Sequence, residues 1–283
     1  MCWLAVRLPG WLARPVVTLA ALYFSVLPSR TSREGADAYM RRVLGRTGFW
    51  VRFRQVHRFA NVAYERILLL TSGAAGFRIG PADHPVIEER VRAGQGAVLL
   101  GAHFGSFEAL RAFDQTLPGM SVRYLMFQDN ARQLTDVLEQ LNPDIAEQVI
   151  SVSDGQNAML AVREALEEGH FVAFLGDRET EANPRAQVVV NFFGEPISIP
   201  RAPYLCAIMA RAPLITAFAV YKGPRTYEAR FRELYDGSEV ARKDRDQLCQ
   251  ALAQSYCDDL EEMCRRHPYN WFNFFDIWRK CSR

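Results

Sequence analysis

The sequence predicts an α/β fold: a largely parallel central sheet flanked by helices, with an N-terminal apolar and basic helical region that associates with membrane. Three observations lead there. Short apolar runs alternate with helix-length stretches from about residue 87 to residue 175, the rhythm of strands joined by crossover helices. The first of those runs, Ala97 to Leu100, lies between Gly96 and Gly101 and reads as a strand buried on both faces. The first eighty residues carry twelve arginines against Glu34, Asp37 and Glu65, while the whole chain has a net charge of only +2. A basic, apolar end on an acidic body suits an anionic surface such as phospholipid headgroups. It suits a nucleic-acid groove less, because the arginines stand among apolar residues. With 283 residues, the chain divides into residues 1–80, helical and membrane-associating, and residues 81–283, the α/β domain.

Trp3 to Leu27 is the most apolar region, interrupted by Arg7, Pro9, Arg14 and Pro15. Its clean run, Pro15 to Leu27, is too short to cross a bilayer unaided. No small-x-small cleavage site follows it. An interfacial helix, or a tilted anchor extended by Trp3 and Trp11, accounts for both the arginines and the aromatics. Ser32 to Leu70 shows an apolar stripe flanked by arginines, and Thr71 to Gly80 reads as a connector. Thereafter Ile87 to Ala93 is a helix, Ala97 to Leu100 a strand, and Phe107 to Leu117 a helix stopped by Pro118. Val122 to Phe127 is a strand and Ala131 to Leu141 a helix stopped by Asn142-Pro143. Val149 to Val152 is a strand, Gln156 to Glu167 a helix closed by Gly169, and Phe171 to Leu175 a strand. Val188 to Phe192 and Ile197 to Ile199 flank a turn at Gly194-Glu195-Pro196. A helix from Arg201 to Met209 follows, then strands from Pro213 to Tyr221 and Tyr227 to Leu234, then a long helix from Arg242 to Arg266. The tail from Tyr269 to Trp278 is rich in aromatics that pack on the core or wall an apolar channel. The six cysteines form no Cys-x-x-Cys pair and have no histidine at zinc spacing, so they read as reduced thiols rather than metal ligands.

Ligands of such sheets bind beyond the carboxyl ends of the strands. His103 follows the buried strand directly, and Asp177-Arg178 follow Phe171 to Leu175. Glu108 lies five residues after His103, across a turn that can bring carboxylate and imidazole together. A carboxylate on one ring nitrogen fixes the tautomer and leaves the other free to take a proton. His84 and Glu89 share that spacing, but no apolar strand precedes them.

These residues together resemble the lysophospholipid acyltransferase superfamily, nearest its lipid A biosynthesis (lauroyl/myristoyl) branch. The resemblance lies in His103 to Glu108 after a strand, in Gly176-Asp177-Arg178-Glu179 at a strand end, in Phe193-Gly194-Glu195-Pro196, and in Ala212-Pro213-Leu214-Ile215. The ending Trp271 to Asp276 is similar to that of a predicted bacterial acyltransferase subgroup associated with aryl-polyene and other specialised lipid pathways. The chain departs from the family at Tyr124-Leu125-Met126-Phe127, where the second block carries an arginine after an aromatic; Arg123 or Arg132 is the available substitute.

The resemblance implies an acyltransferase in which His103 is the general base and Glu108 orients it. The acyl group comes from a thioester on acyl carrier protein or coenzyme A, and the acceptor is a hydroxyl of a lipid or glycerol-type molecule. No metal or other cofactor is called for. Asp177, Arg178, Phe104, Phe193, Gly194 and Pro196 are the expected substrate-binding residues, with Arg178 on a phosphate and an apolar channel near Phe104, Phe107, Phe192 and Phe193. The expected location is the cytoplasmic face of the inner membrane. A thioesterase or hydrolase using the same pair, a non-catalytic lipid-binding protein and a trans-acylase remain as alternatives. The absence of a Gly-x-Ser-x-Gly elbow counts against a serine hydrolase.

Overall fold

A computed structural model describes residues 10–81, 85–114, 117, 119–127, 149–152, 155–178 and 184–279. Helices α1 (Gly10–Val26), α2 (Arg30–Leu44) and α3 (Phe49–Ser72) come first. Ser29 caps α2, its hydroxyl accepting from the Ser32 N–H at 3.1 Å, and Gly45 closes it in the left-handed region. The long stretch read as helical is therefore two helices separated at Gly45 to Gly48. Strand β1 (Arg78–Pro81) follows, then α4 (Pro85–Arg92), β2 (Val98–Gly101), α5 (Phe107–Asp114), β3 (Val122–Phe127) and β4 (Val149–Val152). The chain continues through α6 (Gly155–Glu167), β5 (Phe171–Leu175), the hairpin β6 (Gln187–Phe192) and β7 (Glu195–Pro200), and α7 (Ala202–Ala210). It ends with β8 (Leu214–Gly223), β9 (Thr226–Tyr235) and α8 (Arg245–Arg266).

Seven strands form one sheet in the order β1-β9-β8-β2-β5-β3-β4. Five run parallel, while β9 is antiparallel to β8 and β1 runs with β9. β1 lies in the stretch expected to be a connector. Four residues containing Gly80 and Pro81 show no alternation, and a proline without a ladder donor is tolerated there because β1 is an edge. The helix expected over 131–141 lies outside the described residues.

β2 is buried throughout. Val98 and Leu100 face the layer of α6, α7 and α8, and Ala97 and Leu99 face the opposite layer with residues of α3, α4 and α5. On α8, Cys249, Leu252, Ala253, Tyr256, Cys257, Leu260, Met263 and Cys264 repeat at helical spacing and are buried. Its three cysteines fill space, and burial pushes their thiols up. Cys2 and Cys281 lie outside the described residues.

α1 reverses the usual arrangement. Its small residues Ala13, Ala21 and Ser25 are buried, whereas Val16, Leu19, Tyr23, Phe24 and Val26 stand out in solvent, Leu19 at 65% exposure. No described helix is by itself long and apolar enough to cross a membrane.

Candidate active site

The register of β2 and β5 builds the site. Gly101 is opposite Leu175, and the Gly176 N–H donates to the Gly101 carbonyl at 3.0 Å. Two residues beyond the paired positions stand His103 and Asp177. The Asp177 carboxylate takes the His103 backbone N–H on Oδ2 at 3.0 Å and lies 2.8 Å from His103 Nδ1 through Oδ1. Oδ2 also accepts the indole N–H of Trp271 at 2.9 Å. The Asp177 side chain is 1% exposed and that of His103 32%. Nδ1 therefore carries the proton that bonds Asp177, and Nε2 has no hydrogen-bond partner among the described residues. Burial alone would push the Asp177 carboxyl up, but His103, Arg178 and the Trp271 N–H together hold it down at about 2.

The loop carrying His103 is pinned on every side. The His103 carbonyl accepts the Phe272 N–H at 2.8 Å, the Gly105 N–H donates to the Asn270 carbonyl at 2.8 Å, and the Ser106 N–H donates to the Ala219 carbonyl at 3.1 Å. Ser106 then caps α5, its Oγ accepting the Ala109 N–H at 3.2 Å. Gly105 has φ +63°, and a Cβ there would lie 1.6 Å from the Ala219 carbonyl oxygen. Gly105→Ala is expected to destabilise the protein by about 3 kcal/mol or more, read as a lowered midpoint in urea unfolding; a midpoint equal to wild type would refute the close approach.

Glu108 is placed differently from the expectation that it orients His103. It sits in the first turn of α5 and pairs with Arg66 of α3 at 2.6 Å, and Ser106 Oγ is 3.5 Å from its other oxygen. The acid on the imidazole is Asp177, because the neighbouring strand delivers it in register while Glu108 turns toward α3. Asp177 was expected at substrate; both of its oxygens are occupied by His103 and Trp271. Arg178 Nη2 donates to the Phe272 carbonyl at 2.9 Å, and its guanidinium lies 5.3 Å over the Phe275 ring. Phe104 is 2% exposed, packed edge-on against Phe218 and bridged to Trp271. Phe192 is fully buried between Trp271 and Trp278.

Phe193 and Gly194 are the two loop residues of the β6–β7 hairpin, both at positive φ, as a tight hairpin demands. Pro196 pairs with Asn191 near its exposed tip. Glu195 makes a two-pronged ion pair with Arg42, and Arg265 lies 4.9 Å over the Phe193 ring. Arg123 is 3.5 Å from His170, and Arg132 lies outside the described residues.

Trp271, Asn270 and Gln55 were not singled out as site residues by sequence reasoning. Trp271 is fully buried and holds Asp177, and its carbonyl accepts from Gln55 Nε2 at 3.0 Å. The aromatic tail was visible in the sequence, but nothing there shows which indole reaches the carboxylate.

Residues 75–280 match the family described as bacterial lipid A biosynthesis acyltransferase. The chain is also similar to phosphatidylinositol mannoside acyltransferase of Mycobacterium tuberculosis, at 23% identity over 308 aligned positions that span 98% of this chain and 86% of that protein.

Proposed function

This chain belongs to the bacterial lipid A biosynthesis acyltransferase family and is an acyltransferase of lipid biosynthesis, and on that premise we propose that His103 is its general base with Asp177 as the acid that orients it. The 2.8 Å contact between Nδ1 and a buried carboxylate carries the reading. It leaves Nε2 as an acceptor at the mouth of the sheet. There Nε2 takes the proton of an acceptor hydroxyl as its oxygen bonds to the carbonyl carbon of an acyl thioester. The C–S bond then breaks, and the proton passes from Nε2 to the departing thiolate. Asp177 stabilises the imidazolium formed between the two transfers. The donor is an acyl carrier protein or coenzyme A thioester, and the acceptor a lipid or glycerol-type hydroxyl. Incubating the protein with acyl thioester, with and without a lipid acceptor, tests the reading. Product ester formed only with acceptor supports it, and equal thiol release without acceptor means hydrolysis instead. Glu108 acts by fastening α5 to α3 through Arg66, so Glu108→Gln is expected to cost less activity than Asp177→Asn.

In this proposal α1 lies on the surface of a membrane, at the cytoplasmic face of the inner membrane. Large apolar side chains on its outer face and Trp50, 70% exposed at the start of α3, support this. Replacing Leu19 and Phe24 together by glutamate is expected to weaken binding to phospholipid vesicles by about tenfold or more in a flotation assay. Unchanged binding would remove α1 from membrane attachment.

A further inference from the structure

A cleft of about 600 Å³ opens between α1, α3 and the end of β8. Three guanidinium groups line it, Arg14 from α1 and Arg54 and Arg58 from α3, together with His57, Asn61 and Tyr221. Among the described residues no acidic side chain lines the cleft, and none of the three arginines has a carboxylate within 4.0 Å. Elsewhere on the molecule arginines are repeatedly paired, as in Arg42 with Glu195, Arg52 with Asp37 and Arg90 with Glu233. Glu65, the acid whose charge Arg14 feels, has both oxygens occupied by the Arg225 N–H and the Tyr227 hydroxyl. Arg58 is part-buried and lies 5.6 Å over the Tyr221 ring, with a long 3.4 Å contact to the Tyr221 carbonyl. His57, bridged to Thr18 and Asn61 at 3.2 Å, is pushed down by burial and by Arg58, so the arginines carry the positive charge. Like charges gathered in a concave wall focus a positive potential and cost free energy until an anion enters. Guanidinium forks with amide and hydroxyl donors suit the tetrahedral oxygens of a phosphate.

The cleft is coupled to the catalytic loop. The Tyr221 N–H donates to Asn270 Oδ1 at 2.8 Å, and the carbonyl of the same buried Asn270 accepts from Gly105, two residues beyond His103. β8 lies beside β2 and runs parallel to it, so the cleft and His103 share the carboxyl edge of the sheet. We propose that this cleft binds a phosphate group carried by one of the two substrates, an inference that rests on the acyl-transfer reading. Two sources offer that chemistry: the headgroup of a lipid acceptor, or the phosphates of a pantetheine-bearing thioester donor.

Calorimetric titration of the full chain with two probes separates them: coenzyme A, and dihexanoylphosphatidylglycerol below its micelle concentration. Arg14 and Arg54 are both exposed, so the double variant Arg14→Gln/Arg54→Gln should keep its melting temperature. Each lost charge-assisted bond is expected to weaken the bound probe by about tenfold. The variant Arg92→Gln/Arg163→Gln, which removes the same charge elsewhere, is expected to bind as wild type does. Loss for the phospholipid alone assigns the cleft to the acceptor, loss for coenzyme A alone assigns it to the donor, and loss for both supports a common phosphate site. The proposal is overturned if both probes bind the cleft variant as tightly as wild type, if the control variant loses as much, or if neither probe binds wild type. His103→Ala should bind both probes normally. Binding without any acyl transfer by wild type would sink the catalytic reading and leave the phosphate site standing.

Discussion

Replacing His103 by alanine is expected to lower acyl transfer by about 10²- to 10⁴-fold, the usual contribution of a positioned general base, while leaving the protein folded. The imidazole is one-third exposed, so its removal opens no sealed cavity. The loop around it is held by backbone bonds at His103, Gly105 and Ser106 that alanine can still make. The measurement is product ester formed per minute from an acyl thioester and a lipid acceptor, alongside the melting temperature. A variant that keeps more than about half the wild-type rate would remove His103 from the chemistry, because a base contributing so little lies far below that range.

The second large effect is expected from Asp177→Asn. Oδ2 takes two N–H groups, from the His103 backbone and from Trp271. The new amide must present its oxygen to them and therefore turns its NH₂ toward Nδ1. Nδ1 must then accept, the ring proton moves to Nε2, and the nitrogen that should take the acceptor's proton already holds one. Activity is expected to fall by about 10²- to 10⁴-fold with the same fold and the same acceptor. Stability should also change with pH. The Asp177 carboxyl is depressed from 3.8 to about 2 in the folded protein. The stabilisation it supplies is present above the unfolded value and lost as pH falls through the folded one. That difference amounts to about 2 kcal/mol, so wild type should lose stability relative to the asparagine variant between about pH 4 and pH 2. Parallel unfolding curves for the two proteins across that window would contradict the assigned charge.

The strands that frame the site were legible in the sequence because each is a short apolar run with a turn signal at its end. Val122 to Phe127, Val149 to Val152 and Phe171 to Leu175 fall where their composition places them. β1 was not legible, since an edge strand of four residues needs only a partner, and that partner, β9, lies far along the chain. His103 and Asp177 were both recognisable at strand ends. Their mutual contact was not, because it depends on β2 and β5 being neighbours, with β3 and β4 beyond β5. Spacing favoured Glu108 instead, and spacing ignores where a helix points its first turn; here that turn faces Arg66.

The indole that steadies Asp177 belongs to a segment made long after the strands bearing the histidine and the acid. During synthesis those strands can pair while Trp271 is still absent, and the carboxylate then lacks its third donor and the Phe104 bridge has no partner. The full set of donors on Asp177 therefore assembles only once Trp271 has been made, when all nine described strands, which precede it in the chain, can already be in place.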